Sequence, residues 1–152
     1  MIHFDQVSKR YAEGHEALSG LSFDVEAGEM VFVTGHSGAG KSTLLKLLGL
    51  IERPSRGEIV VNGLPLARVR TRSIPGVRRD IGMVFQNHRL LMDRNVFDNV
   101  ALPLRIAGAG REETAKRARA ALDKVGLLAR EGSLPVTLST GEQQRVGIAR
   151  AI

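Results

Sequence analysis

The chain has no cysteine, no tryptophan and a single tyrosine among its 152 residues. Without cysteine there is no disulfide framework and no thiolate metal site, which fits a reducing cytoplasm. One Tyr and five Phe leave little for a platform on which nucleic-acid bases would stack. Long apolar runs are missing as well. The longest strongly apolar stretch, 44–51, is broken by Lys46 and is too short to span a bilayer. Asp5 and Lys9 stand where a signal peptide would carry its apolar core, so no export signal is expected. Acidic excess is absent too. The net charge is +6, and five arginines fall between Arg68 and Arg79. Such a patch could draw nucleic acid or anionic lipid. No aromatic residues interleave with it, so a solvated basic face is the preferred reading and no nucleic-acid partner is expected. His3, His15 and His88 show no metal-ligand spacing.

What is present centres on Gly35-His36-Ser37-Gly38-Ala39-Gly40-Lys41-Ser42-Thr43. This is G-x-x-x-x-G-K-[ST], with an apolar run before it and a leucine-rich segment after it. Glycines let the backbone wrap a phosphate with its N–H groups turned inward. The helix that follows adds the positive end of its dipole. Lys41 can reach terminal phosphates as a point charge, and the Ser42 hydroxyl can hold Mg²⁺. His36 reads as a spacer whose side chain points away.

The remaining segments frame this loop. Residues 2–7 alternate as a half-buried strand with a slip near its end, and 17–26 form a second strand with Leu21, Phe23 and Val25 on one face. Residues 30–34 are nearly all apolar, as expected of a strand covered on both faces in a parallel sheet. A helix over 42–50 would bury Leu44, Leu45, Leu47 and Leu48. Asn62-Gly63 predicts a type I′ hairpin between 58–61 and 64–66. Residues 81–85 are another apolar run of strand length, followed directly by Gln86. Beyond a loop at 87–94, the segment 96–106 reads as a helix interrupted at Pro103. Residues 111–125 read as an amphipathic helix with Ala118, Ala121, Leu122 and Val125 in one stripe. At Leu138-Ser139-Thr140-Gly141-Glu142-Gln143-Gln144-Arg145 a last helix begins. Ser139 and Glu142 make a capping box, and Val146, Ala149 and Ile152 continue an apolar stripe.

Tyr11, the loop at 35–43, Gln86 after an apolar run and the segment 138–145 occur in one order. In that order the whole chain resembles the nucleotide-binding subunits of ABC transporters, and among them the bacterial cell-division ATPases. The resemblance implies an α/β fold: a P-loop NTPase core with an N-terminal antiparallel β-layer and a helical insert, incomplete at the C-terminus. The implied division is a nucleotide-binding core at 1–86, a helical subdomain at 87–138 and a signature helix at 139–152. Tyr11 would stack on adenine with Ala17 packing nearby. Gly35, His36, Ser37, Gly38, Ala39, Gly40, Lys41, Ser42 and Thr43 would hold the ATP phosphates. Ser42 and Gln86 would coordinate Mg²⁺, and Gln86 would relay nucleotide state to an integral membrane partner. Ser139, Thr140, Gly141 and Glu142 would contact the γ-phosphate held by a second copy, so a head-to-tail homodimer is implied. The expected place is the cytoplasmic face of the bacterial inner membrane.

Two departures stand out. Thr140 occupies the first glycine of the family's Leu-Ser-Gly-Gly-Glu-Gln-Gln signature, and a β-branched residue adds bulk where backbone must approach a phosphate. No apolar strand ending in Asp-Glu is present, so no catalytic carboxylate can be assigned. ATP binding with poor hydrolysis is the expectation. The alternatives are the ATP-binding subunit of another exporter or lipoprotein-release system, or a non-catalytic nucleotide-binding module. A small-molecule kinase would leave 138–145 unexplained.

Overall fold

In this computed structural model, residues 1–12 and 14–152 are described; the stretch 12–16 reads as a loop in sequence, Glu13 within it lies outside the described residues, and Glu16 already belongs to a strand. The chain forms two compact units, Met1–Arg78 and Arg79–Ile152.

The first unit is built on an antiparallel sheet of order β2-β1-β3-β4. Its strands are β1 (Ile2–Arg10), β2 (Glu16–Val25), β3 (Arg56–Val61) and β4 (Leu64–Pro65). Phe4 of β1 faces Phe23 of β2. Their rings stack at 4.6 Å, the cross-strand aromatic contact that fixes a register. Strict alternation from Phe4 would send Val7 to the opposite face. A register shift between Phe4 and Val7, with Gln6 at φ 45°, inserts the extra residue that brings Val7 back. Phe4 and Val7 are both fully buried. The bulge is pinned by Ser22, whose Oγ accepts from the Gln6 N–H at 2.9 Å and from Gln6 Nε2 at 3.0 Å. Gly57 of β3 accommodates it: a Cβ there would lie 2.4 Å from the Gln6 carbonyl oxygen, and its φ is +82°. The β3–β4 turn has φ 49° at Asn62 and 77° at Gly63, as the Asn-Gly pair foretells.

Helix α1 (Lys41–Leu48) lays Leu44 and Leu47 into the same core as Phe4, Val7, Ile59 and Leu66. Leu45, expected on this face, is instead 53% exposed. At about 100° per residue, positions 44, 47 and 48 share a stripe that 45 misses. Arg78 closes the far end of α1, donating to the Gly49 and Leu50 carbonyls at 2.9 Å each. One member of the expected solvated arginine face is therefore a helix cap. The arginine-rich stretch holds a short helix, α2 (Ile74–Arg79).

The second unit packs three helices, α3 (Val96–Ile106), α4 (Arg111–Lys124) and α5 (Thr140–Ala151). Val96, Val100, Ala118, Leu122, Val146 and Ala149 share its core. Asn95 caps α3 by accepting from the Asp98 N–H at 2.7 Å. Buried Asn99 is fully used. Its Oδ1 accepts from the Leu91 N–H, and its Nδ2 donates to the carbonyls of Leu91, Arg94 and Asn95. Helix α3 runs through Pro103 without interruption. The imino ring costs one bond in the penultimate turn, and the Ala107 N–H still reaches the Pro103 carbonyl at 2.9 Å. Ile152, expected in the α5 stripe, lies beyond the helix and is 65% exposed.

The two apolar runs at 30–34 and 81–85 correct the sequence reading most clearly. Neither is a strand, and Met30 and Phe32 are 82% and 81% exposed. A strand exists only through a ladder. Among the described residues every ladder belongs to β1–β4, so these runs have no partner to pair with.

If Gly57 makes room for the bulge, Gly57→Ala should lower the stability of the first unit by about 2 kcal/mol or more. The urea unfolding midpoint reads this, and an unchanged midpoint would refute it.

Candidate functional site

Within the first unit the loop at 35–40 is irregular backbone, exposed at 35–39, and it enters α1 through half-buried Gly40. Gly40 is the N-cap, at φ 85° and ψ 0°. A Cβ there would lie 2.4 Å from the Ala17 carbonyl oxygen and 2.7 Å from Leu18 Cδ2. Two demands thus converge on glycine: a left-handed backbone and contact with β2. The Lys41 ammonium folds back across the loop, donating to the Gly35 and His36 carbonyls at 2.7 Å each. His36 is exposed, and its Nδ1 lies 2.7 Å from the Ser37 carbonyl oxygen. Ser42 is exposed in the first turn of α1, while Thr43 is buried. Tyr11 Oη lies 3.2 Å from Thr43 Oγ1. The structure therefore brings Tyr11, Ala17, Gly40 and Thr43 together around the start of α1.

This helix start carries no side-chain cap and no acidic residue in its first turn. Its leading N–H groups and a lysine ammonium face one loop, an arrangement suited to an oxyanion. The chemistry it supports is the binding of phosphate.

In the second unit, Gln86 is exposed in the segment after 81–85. The next turn holds two consecutive left-handed residues, His88 at φ 54° and Arg89 at 47°. Arg150 of α5 braces it, donating to the His88 carbonyl at 2.6 Å and the Arg89 carbonyl at 2.8 Å. The start of α5 is a complete capping box. The Ser139 N–H and hydroxyl both donate to Glu142 Oε2 at 2.8 Å, and the Glu142 N–H returns to Ser139 Oγ at 3.3 Å. These bonds hold the Glu142 carboxyl below its usual range. Thr140 and Gly141 are exposed, and a Cβ on Gly141 would meet nothing within 4 Å. Helix packing does not demand glycine at 141.

Sequence reasoning passed over two residues. Arg150 gave no local signal, because its partners lie about sixty positions away. Lys9 could have been found: it stands near the end of β1, two residues before Tyr11. Its ammonium lies 5.1 Å from the centroid of the Tyr11 ring.

Comparison with known proteins agrees with this geometry. A family model described as ABC transporter matches residues 18–152. The chain is 59% identical over 152 residues to the cell division ATP-binding protein FtsE of Escherichia coli K12, covering all of this chain and 68% of that protein. It is 48% identical over 153 residues to the methionine import ATP-binding protein MetN of Caulobacter vibrioides, covering 46% of that protein. Among solved structures it is similar to the ATP-binding cassette MJ0796, as the dimer in a post-hydrolysis state bound to ADP and Pi. The TM-score there is 0.94 at 34% identity, over all of this chain and 69% of that one. The sequence expectation of a P-loop ABC ATPase fold holds.

The capping box makes a pH prediction. A carboxyl whose folded pKa is lowered stabilises above its unfolded value, ~4.3, and that contribution is lost as pH falls through the folded value. Glu142→Gln should weaken amide-exchange protection at 139–143 at neutral pH. The gap from the parent should vanish under strongly acidic conditions. A gap of constant size across pH would refute the charge-based cap.

Proposed function

The chain belongs to the ABC transporter family, and from that premise we propose that it is the ATP-binding subunit of an ABC-type complex of the FtsE kind. In this reading it couples ATP binding to a membrane partner in cell division, and residues 1–152, which offer no assignable catalytic carboxylate, hydrolyse ATP poorly. The greater identity to FtsE than to the methionine importer subunit supports this choice within the family. The observation that carries nucleotide binding is the Lys41 ammonium spanning the Gly35 and His36 carbonyls over an uncapped helix start.

In this reading residues 35–43 take the phosphates. Lys41 exchanges its two carbonyls for phosphate oxygens, and a charge-assisted bond to an anion is the stronger of the two. Tyr11 carries the adenine, with Ala17 beside the loop. Mg²⁺ would be held by the Ser42 hydroxyl, which stands exposed in the first turn of α1. When bound, it neutralises charge on the phosphates. Ser139, Thr140, Gly141 and Glu142 meet the nucleotide of a second copy in a head-to-tail dimer. The dimeric form of MJ0796 supports pairing of this kind.

No helix among the described residues is long and apolar enough to cross a membrane. Attachment to the cytoplasmic face of the bacterial inner membrane is proposed to run through an integral partner of the FtsX kind. Gln86, followed by the braced turn at 88–89, is the element proposed to report nucleotide state to it.

Two experiments test the proposal. Lys41→Ala should weaken ATP binding by calorimetry about ten- to hundredfold; undiminished binding would sink the loop assignment. Thr140 projects from an exposed helix start, so its bulk should oppose closure of an ATP-bound dimer. Light scattering should show more ATP-driven dimer for Thr140→Gly than for the parent, and equal dimerisation would count against that role.

A further inference from the structure

Tyr11 is held from two directions in the first unit. Against one face lies the Lys9 ammonium, 5.1 Å from the ring centroid. That ammonium is itself fixed, because it donates to the Arg53 carbonyl at 3.0 Å and pairs with Glu52 Oε2 at 2.8 Å. The Lys9 side chain is only 13% exposed, so its charge is poorly screened by water. At the tip of the ring, the phenol oxygen meets the buried Thr43 hydroxyl at 3.2 Å. A surface tyrosine would ordinarily sample several rotamers. This one is tied to the loop before β3 through Lys9 and to the first turn of α1 through Thr43.

We propose that Lys9 is a positioning residue for a purine base, holding the Tyr11 ring by one face so that the opposite face receives the base. The inference rests on the reading of Tyr11 as the adenine platform. Two physical effects act together. A ring already fixed loses less freedom when a base stacks on it. A cation against one face also offsets the negative charge that an aromatic face presents to another π-system. Glu52 and the Arg53 carbonyl keep the ammonium in place, so the effect does not depend on a mobile surface lysine. Neither effect touches the phosphates, which are the work of Lys41 and the loop.

That separation gives the test. Binding of ATP and of inorganic triphosphate is measured by calorimetry on the full chain and on Lys9→Met, Lys9→Arg and Tyr11→Ala. Lys9→Met keeps the length of the side chain without its charge. It should weaken ATP about three- to thirtyfold and leave triphosphate affinity unchanged. Lys9→Arg, which keeps a cation against the ring, should retain the parent affinity for ATP. Equal weakening of ATP and triphosphate by Lys9→Met would mark Lys9 as a scaffold residue only, and no weakening of ATP would remove it from the site; both overturn the inference. If Tyr11→Ala weakens ATP alone while Lys9→Met does nothing, only the Lys9 inference fails. If Tyr11→Ala leaves ATP binding untouched, the platform reading fails and takes the inference with it.

Discussion

The Ala17 carbonyl lies where a side chain on residue 40 would begin, and most of the first unit depends on that close approach. The loop can turn into α1 only if β2 passes at this height. β2 passes there because its register on β1 is set by the Phe4–Phe23 stack and by the bulge at Gln6. The bulge in turn needs Gly57 on the other side of β1. Two glycines far apart in sequence thus serve one purpose: each lets a neighbouring carbonyl come closer than any Cβ allows. The antiparallel sheet carries none of the residues proposed to bind phosphate, yet through the Ala17 carbonyl it meets the loop where α1 begins.

The same sheet places the aromatic end of the site. Lys9 lies near the end of β1, two residues before Tyr11, and Thr43 lies in the first turn of α1. The contacts that hold the ring therefore come from both elements whose mutual position the Gly40 approach determines. A shift of α1 along β2 would disturb the loop and the Tyr11 hydroxyl bond together. Packing beneath, from Leu44 and Leu47 against Phe4 and Val7, resists such a shift.

Much of this was legible in the chain because it is local. The phosphate loop, the Asn62-Gly63 turn and the Ser139–Glu142 capping box depend on residues at fixed short spacing, and backbone sterics dictate their form. Helix α4 followed from Ala118 and Leu122 at the right interval. What was misread depends on partners. An apolar run such as 30–34 looks like a buried strand, but apolar character alone supplies no ladder. Pro103 looked like a break because its lost bond is visible in sequence, whereas the packing of α3 that tolerates the loss is not. Arg78 read as surface charge and Arg150 gave no signal, yet each spends its guanidinium on carbonyls distant in sequence. A family resemblance supplied roles for Tyr11 and Gln86 that no local rule would have assigned.

The two helix starts to which the proposed function assigns nucleotide contacts differ in a way that bears on that proposal. At α1 the cap is a glycine without a side chain, and no carboxylate lies in the first turn. Its positive end is open to an anion. At α5 the corresponding place already contains one, since Glu142 accepts from both the Ser139 N–H and the Ser139 hydroxyl. A phosphate arriving there meets a filled hydrogen-bond position and a like charge. For Ser139 to serve a nucleotide, its hydroxyl must turn away from Glu142, and the carboxylate must keep only its bond to the backbone. Binding at α1 can then occur within one chain. Binding at α5 requires the approaching phosphate to outcompete an internal carboxylate. On the proposed function, that ordering would make the α5 contact the conditional one, formed only when a second surface delivers a more strongly charged partner than Glu142 itself.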